Sequence, residues 1–310
     1  MKDKTVLDVQ TGIIKASLGR ENKILVDQVA FSLFPGESLG LMGETGSGKT
    51  MTALSVMGLL PENVRQEGSH ILFHGEPLQA NALRKTLLGN KIAYIPQSGA
   101  ECLNPSRKIK NQLIDGMKKN SIPRGQWKEK GLELLSQAGL DKPKEVWNAY
   151  PFALSGGMAQ KVTIALAACG EPDLILADEP TNGLDAASTE GFFDLLGCMF
   201  PKAAKLVITH DMSVARHCDR VIVLCKGKMC ESGPAEEVLR EPRHPYTKAL
   251  IMALTENGLT ESPMLRSGEG ACPFYARCPQ ATELCLKEQT HRQEENREWW
   301  CSGQTWKSMA

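Results

Sequence analysis

The sequence predicts an α/β fold built on a largely parallel core sheet. Three observations carry that expectation. First, short apolar runs that read as buried strands alternate with helical patterns: Ser38 to Met42, Ile92 to Ile95, Leu174 to Ala177 and Lys205 to Ile208. Second, the Ser38–Met42 run leads into Gly43-Glu44-Thr45-Gly46-Ser47-Gly48-Lys49-Thr50, which fits the phosphate-binding pattern G-x-x-x-x-G-K-[ST]. Third, the Leu174–Ala177 run ends in two acids, Asp178 and Glu179.

The elements follow in order. From about Val6 to Met42, apolar runs alternate with turn signals such as Gly19-Arg20-Glu21-Asn22 and Pro35-Gly36, an antiparallel, strand-rich start. After the glycine loop, Met51 to Leu60 reads as a helix that ends before Pro61. Strand, loop, helix aims a helix N-terminus at an anion. The glycines let successive N–H groups turn toward phosphate oxygens, Lys49 has the reach for the β- and γ-phosphates, and the Thr50 hydroxyl can ligate Mg²⁺. From Asn111 to about Leu154 the pattern is helical, with a break at Gly139, and Val162 to Ala168 is an apolar helix. Arg220 to Leu224 and Met229 to Glu231 flank a Lys226-Gly227 turn and read as a hairpin. At the acid pair, Asp178 fits a Mg²⁺ carboxylate acting through a metal-bound water, and Glu179 fits the general base for attack on the γ-phosphate.

The totals bound the class. The chain has 310 residues, which predicts one large domain and a smaller appendage. Formal net charge is zero, from 36 basic and 36 acidic residues, which argues against a nucleic-acid partner. No apolar run approaches the roughly 18 residues that span a bilayer. Met1-Lys2-Asp3-Lys4-Thr5 leads into no signal-peptide core, so a cytosolic chain is expected unless a partner holds it at a membrane. Of ten cysteines, Cys102, Cys169, Cys198, Cys218, Cys225 and Cys230 are scattered and are expected as reduced core thiols. The composition turns polar from about Glu256, where a boundary is expected, and Cys272, Cys278, Cys285 and Cys301 fall beyond it.

Leu154-Ser155-Gly156-Gly157-Met158-Ala159-Gln160 lies between the two nucleotide motifs and closely resembles the signature loop of ATP-binding cassette (ABC) proteins. Gln97 stands where that family has its Q-loop, Gly183-Leu184-Asp185 resembles its D-loop, and His210 its switch histidine. The resemblance implies an ATP-hydrolysing cassette with a RecA-like core, an antiparallel β subdomain and a helical subdomain over about 98–165. ABC domain 1–255 would be followed by a cysteine-rich tail, 256–310. It also implies a head-to-tail dimer in which Ser155, Gly156 and Gly157 close over ATP held by a partner cassette. Gln97 would contact Mg²⁺ or the water, Asp185 would stand at the nucleotide interface, and His210 would contact the γ-phosphate and position the water.

Pro96-Gln97 through Leu103-Asn104-Pro105, Tyr150-Pro151 through Gly156-Gly157-Met158, and Pro242 through Leu250 resemble the peptide/nickel importer ATPases. That resemblance implies an energy subunit on the cytoplasmic face of the membrane, docked peripherally through 98–153. Its expected partners are a second ABC ATPase, expected to be a paralogue, two transmembrane permease subunits and an extracytoplasmic solute-binding protein. Peptides, nickel and metal chelates all remain open as solutes. The alternative is a soluble ABC ATPase acting on nucleic acid or the ribosome, against which the single cassette and balanced charge both count. Several members of the importer group carry a similar cysteine tail holding a [4Fe–4S] cluster. Four thiolates suit either iron–sulfur or Zn²⁺, and the absence of two short C-x₂₋₄-C knuckles favours iron–sulfur. His291 is expected at the surface rather than as a fifth ligand. The sequence departs from the family in three places. No aromatic residue precedes Phe31 to stack on adenine, and Ile14 or Lys15 falls near the expected place. Lys161 stands where Arg is common, and Asn182-Gly183 replaces a small-residue pair before the D-loop.

Overall fold

A computed structural model of the chain describes residues 5–18, 21–78, 86–182, 184–255 and 264–303. They form two compact units, each discontinuous in sequence. One gathers Met1–Leu7, Leu33–Glu37 and Leu72–Val207; the other gathers Asp8–Ser32, Ser38–Ile71 and Ile208–Ala310.

In the first unit, strands Ile92–Ile95 and Leu174–Asp178 run parallel, in register from Leu174 opposite Ile92 to Ala177 opposite Ile95. All five residues of Leu174–Asp178 are buried, which is why this strand reads as an unbroken apolar run rather than an alternating one. Strand Ala204–Thr209, which begins in this unit, is its other neighbour. Ile95, Ile164, Ile175, Leu196 and Phe200 fill the core against this parallel pair.

The helical region comprises Ile109–Lys119, Trp127–Gln137, Pro143–Asn148 and Gly156–Ala167. Leu113, Met117, Leu134, Leu135, Trp147 and Val162 pack at its centre. The expected break at Gly139 is present: the residue takes φ +75°, and its carbonyl accepts a hydrogen bond from Lys161 Nζ at 2.8 Å. Lys161 therefore serves as a cap on this turn. The last helix begins at Gly156, six residues before the apolar run from Val162 that the sequence picks out, because Ser155 caps it and accepts the Met158 N–H at 3.2 Å.

Gly131 allows the closest approach here. A Cβ at this position would lie 2.1 Å from the ring of Trp147, itself only 6% exposed. Gly131→Ala gains about 1 kcal/mol of helix propensity. It loses more to overpacking, which typically costs about 1–3 kcal/mol and here meets a ring with no room to retreat. The expected result is a net loss of up to about 2 kcal/mol, read as a lower urea midpoint at unchanged slope.

In the second unit, five strands follow one another across a mixed sheet: His291–Glu294, Arg297–Trp300, Lys228–Pro234, Arg220–Cys225 and Ser38–Met42. Arg220–Cys225 is parallel to Ser38–Met42 and antiparallel to Lys228–Pro234, the expected hairpin about Lys226-Gly227. A separate antiparallel sheet joins Ile13–Leu18 with Glu21–Asp27 and Val64–Glu67, in keeping with the expected antiparallel β region.

Two sequence expectations change. The cysteine segment does more than trail behind the core, because its Arg297–Trp300 strand pairs with the hairpin, Glu231 opposite Trp299 and Ser232 opposite Glu298. The scattered cysteines are not all core thiols: Cys169, Cys218, Cys225 and Cys230 are buried, but Cys102 and Cys198 are exposed. Cys102 is the last residue of the short helix Gly99–Cys102, and Cys198 holds an exposed position on helix Ala186–Met199. The expected boundary near 256 falls at residues 256–263, outside the described residues.

Candidate nucleotide site and cysteine cluster

In the second unit the phosphate loop is held from behind. The parallel register sets Val223 opposite Met42, so the chain leaves its strand beside Leu224. Gly43 takes φ +150° there, and a Cβ would lie 2.3 Å from the Leu224 carbonyl, so no larger residue fits. Gly227 of the hairpin donates its N–H to the Ser47 carbonyl at 2.9 Å, pinning the loop's far side. Lys49 Nζ donates to the carbonyls of Gly43 and Glu44 at 2.7 and 3.0 Å, closing the loop under its own ammonium.

Helix Lys49–Met57 starts from Gly48 with no side-chain cap and no acid in its first turn, leaving its N–H groups and positive dipole end for an anion. The Ser47 hydroxyl is buried without a hydrogen-bond partner, and the crest at Gly46 has nothing within 4 Å of a would-be Cβ. An orphaned donor beside open space at a helix N-terminus fits a bound phosphate chain. Thr45, Gly46 and Thr50 are exposed. His210 lies in the same unit and is partly buried, immediately after strand Ala204–Thr209. The turn that follows it is fixed, with Asp211 N–H on Thr209 Oγ1 at 2.9 Å and Asp211 Oδ1 accepting the Ser213 N–H at 2.8 Å.

Of the two residues near the expected adenine contact, Ile14 is fully buried and does not reach a ligand. Lys15 reaches the surface, its ammonium 2.9 Å from Glu67. Of the two, Lys15 is the one with surface to offer.

In the first unit the parallel register brings the C-terminal ends of Ile92–Ile95 and Leu174–Asp178 together, so Gln97 and the acid pair leave the same edge. This is where ligands bind on open parallel sheets. Gln97 is exposed, Asp178 is buried and Glu179 partly so. Glu179 adopts φ +44°, a left-handed conformation unusual for a side chain of its kind. The sequence reading did not include Tyr94, whose hydroxyl donates to Asp178 Oδ2 at 3.3 Å. Burial, and then the Asp178 charge, raise the Tyr94 pKa, so the phenol stays protonated and remains a donor. The signal was its position one residue before the end of its strand, opposite Leu176 and two residues short of Asp178 in the register.

Ser155, Gly156 and Gly157 are exposed at the N-terminus of their helix, and neither glycine has a neighbour within 4 Å of a would-be Cβ. Nothing in the chain's own packing requires glycine there, so the bare turn is free for close approach from outside. Asp185 is exposed and caps helix Ala186–Met199, accepting the Ser188 N–H at 2.8 Å; that hydrogen bond holds its carboxyl below the usual range. Gly183 lies outside the described residues.

Cys272, Cys278, Cys285 and Cys301 are each between 5% and 8% exposed and together line one small cavity of about 10 Å³ in the second unit. Burial raises the Cys272, Cys278 and Cys301 thiols, Cys272 to about 12. His291 is at the surface, 3.1 Å from Glu298 and stacked on Trp300. The histidine that lines the cavity is instead His244, whose Nδ1 accepts the Tyr246 N–H at 3.0 Å. Among the described residues no group of three or more His, Cys, Asp or Glu converges closely enough to hold a single metal ion. A lone Zn²⁺ would draw four sulfurs to within roughly 4 Å of one another. The donor atoms on the lining are the four thiols, with His244 beside them.

Comparison with known proteins places these features. Residues 26–182 match the family model described as ABC transporter, and residues 230–285 match one described as oligopeptide/dipeptide transporter, C-terminal region. The chain is 34% identical over 279 residues to the dipeptide transport ATP-binding protein DppD of Escherichia coli, covering 85% of each chain. It is 33% identical to the oligopeptide transport ATP-binding protein OppD of Lactococcus lactis, covering 100% of this chain and 96% of that one. The fold is shared with the ATP-binding cassette MJ0796 in its dimeric ADP- and phosphate-bound form, with TM-score 0.64, 24% identity, and coverage of 74% of this chain and 98% of that one. Among the described residues no helix is long and apolar enough to cross a membrane. With a phosphate loop, an acid-ended parallel strand and a bare capped glycine turn in the expected order, the chain belongs to the ABC transporter family and is one of its ATP-hydrolysing subunits.

Proposed function

We propose that the chain drives a peptide importer, hydrolysing ATP on the cytoplasmic face of the membrane beside permease subunits. The observation that carries this reading is the match of residues 230–285 to the oligopeptide/dipeptide transporter C-terminal region, with peptide-transport relatives aligned over most of the chain. Peptides are favoured over nickel on that ground.

Within the site, Gly43 to Thr50 bind the phosphates, with Lys49 supplying the charge. Thr50, Gln97 and Asp178 would hold Mg²⁺, which when bound neutralises charge developing on the phosphates. Glu179 takes the proton of the attacking water, and His210 orients it. The exposed Ser155-Gly156-Gly157 turn supports a second cassette closing over the nucleotide, a paralogue or a second copy, with Asp185 holding its helix at that interface. Phe152, 79% exposed and stacked on Tyr150 at 5.4 Å, supports protein docking through the 98–153 region.

Deleting the chain from its cell is expected to abolish uptake of a radiolabelled di- or oligopeptide, with rescue by the native chain and none by Glu179→Gln. Peptide uptake that survives deletion while nickel uptake fails would overturn the assignment.

For the tail, the four cysteines would hold a [4Fe–4S] cluster, binding it as thiolates and releasing their protons on loading. Protein purified without oxygen is expected to carry about four iron and four acid-labile sulfide per chain, lost in Cys278→Ser. Zinc without sulfide would make the tail a zinc clip, and neither metal would remove the cluster from the account.

A further inference from the structure

The cysteine segment touches the phosphate loop directly. Glu44, the second residue of the loop, receives both ends of one guanidinium: Arg277 Nη1 to Oε1 at 3.0 Å and Nη2 to Oε2 at 2.7 Å. The Glu44 amide N–H donates to the Tyr246 hydroxyl at 3.0 Å. The Arg277 guanidinium lies against the rings of Phe274, at 5.2 Å, and Tyr246, at 5.9 Å. Arg277 closes the short turn Tyr275–Arg277 and immediately precedes Cys278. Main chain and side chain of one loop residue are thus both fixed from the C-terminal part of the chain.

An exposed ion pair would contribute little. This one is different in kind. The Arg277 side chain is 10% exposed and Glu44 33%, the geometry is bidentate, and the guanidinium has aromatic support on two rings. The carboxylate also sits in a loop whose ligand is polyanionic. Left alone, Glu44 would repel the phosphates that Lys49 attracts. Paired with Arg277 it is neutralised, and its backbone N–H is held by Tyr246 in one orientation.

We propose that Arg277 is a positioning residue for the phosphate loop, through which the cysteine-rich segment sets the chain's affinity for ATP. The proposal needs only that the loop binds ATP; it is independent of which metal the cysteines hold.

The test uses the full-length chain, purified without oxygen. Binding of Mg²⁺-ATP is measured by displacement of a fluorescent ATP analogue, alongside KM and kcat for hydrolysis. Arg277→Met, which keeps the stem packed on the rings, is expected to raise Kd and KM about tenfold and to leave kcat within about twofold. Arg277→Lys, which restores charge without the fork, is expected to recover part of that loss. In a Glu44→Gln background, Arg277→Met should shift Kd by less than about twofold, because the repulsion it unmasks is gone. An unchanged Kd in Arg277→Met with native metal content overturns the proposal, as does an equal shift in the Glu44→Gln background. Should Arg277→Met fail to fold, Cys278→Ser provides the second route. It should weaken ATP binding in the native background and not in Glu44→Gln, and equal weakening in both overturns the proposal.

Discussion

Glu179→Gln is expected to lower ATP turnover about 10²–10⁴-fold while leaving ATP affinity within a factor of about three. The magnitude is that of a lost general base. Glutamine keeps the size and a hydrogen-bonding oxygen but takes up no proton, so binding and chemistry separate. The backbone supports the assignment. Glu179 follows a fully buried strand and holds φ +44°. For a residue with a Cβ this conformation costs about 1–2 kcal/mol. Pro180 further disfavours the right-handed helical region at the preceding residue. Such strain persists where the surroundings fix it, and it gathers at functional sites. Steady-state hydrolysis and equilibrium binding of the same preparation check the prediction. A Gln variant that hydrolyses within tenfold of the native rate would remove Glu179 as the base. Glu179→Asp offers a second check, since a carboxylate withdrawn by one methylene group keeps its charge and loses its reach.

Much of this half of the site was legible in the sequence because its residues are contiguous or lie at strand ends. The phosphate loop is one run of residues, and the acid pair ends an apolar run that could only be a buried strand. Ser155-Gly156-Gly157 is legible as a loop at the start of an apolar helix, and the Met158 N–H on Ser155 fixes which residue caps it. What the sequence hid lies across long separations. Tyr94 and Asp178 are 84 residues apart, and Arg277 and Glu44 are 233 apart. No local period records such pairs; they depend on strand register and on how the C-terminal segment returns. That return was itself obscured, because Arg297–Trp300 is only four residues long and reads as part of a polar stretch. Cys102 and Cys198 misled for the opposite reason: an apolar neighbourhood in sequence did not mean burial in the fold.

Glu231→Ala is expected to destabilise the chain by about 3–5 kcal/mol and to loosen the cysteine segment first. Glu231 is 0% exposed and Arg297 6%, with Arg297 Nη2 to Glu231 Oε1 at 2.8 Å. The same carboxylate accepts the N–H groups of Arg243 and His244 at 2.8 and 2.9 Å. Forming such a pair in place of apolar packing contributes little net stability, because two charges leave water. Removing one partner is the severe case. Arg297 would remain buried and unpaired on that side, keeping only the Glu241 carbonyl, and two backbone donors would lose their acceptor. Arg297 opens the strand that pairs the C-terminal segment with Lys228–Pro234, so the strand pairing and the ion pair fail together. Hydrogen exchange should therefore show lost protection over Arg297–Trp300 at denaturant concentrations where Leu174–Asp178 remains protected. Glu231→Leu combined with Arg297→Met is expected to recover the share due to the stranded charge, while the Arg243 and His244 N–H groups remain without their acceptor. A Glu231→Ala chain that unfolds within about 1 kcal/mol of the native one would mean that water reaches Arg297 and that this pair does not hold the segment in place.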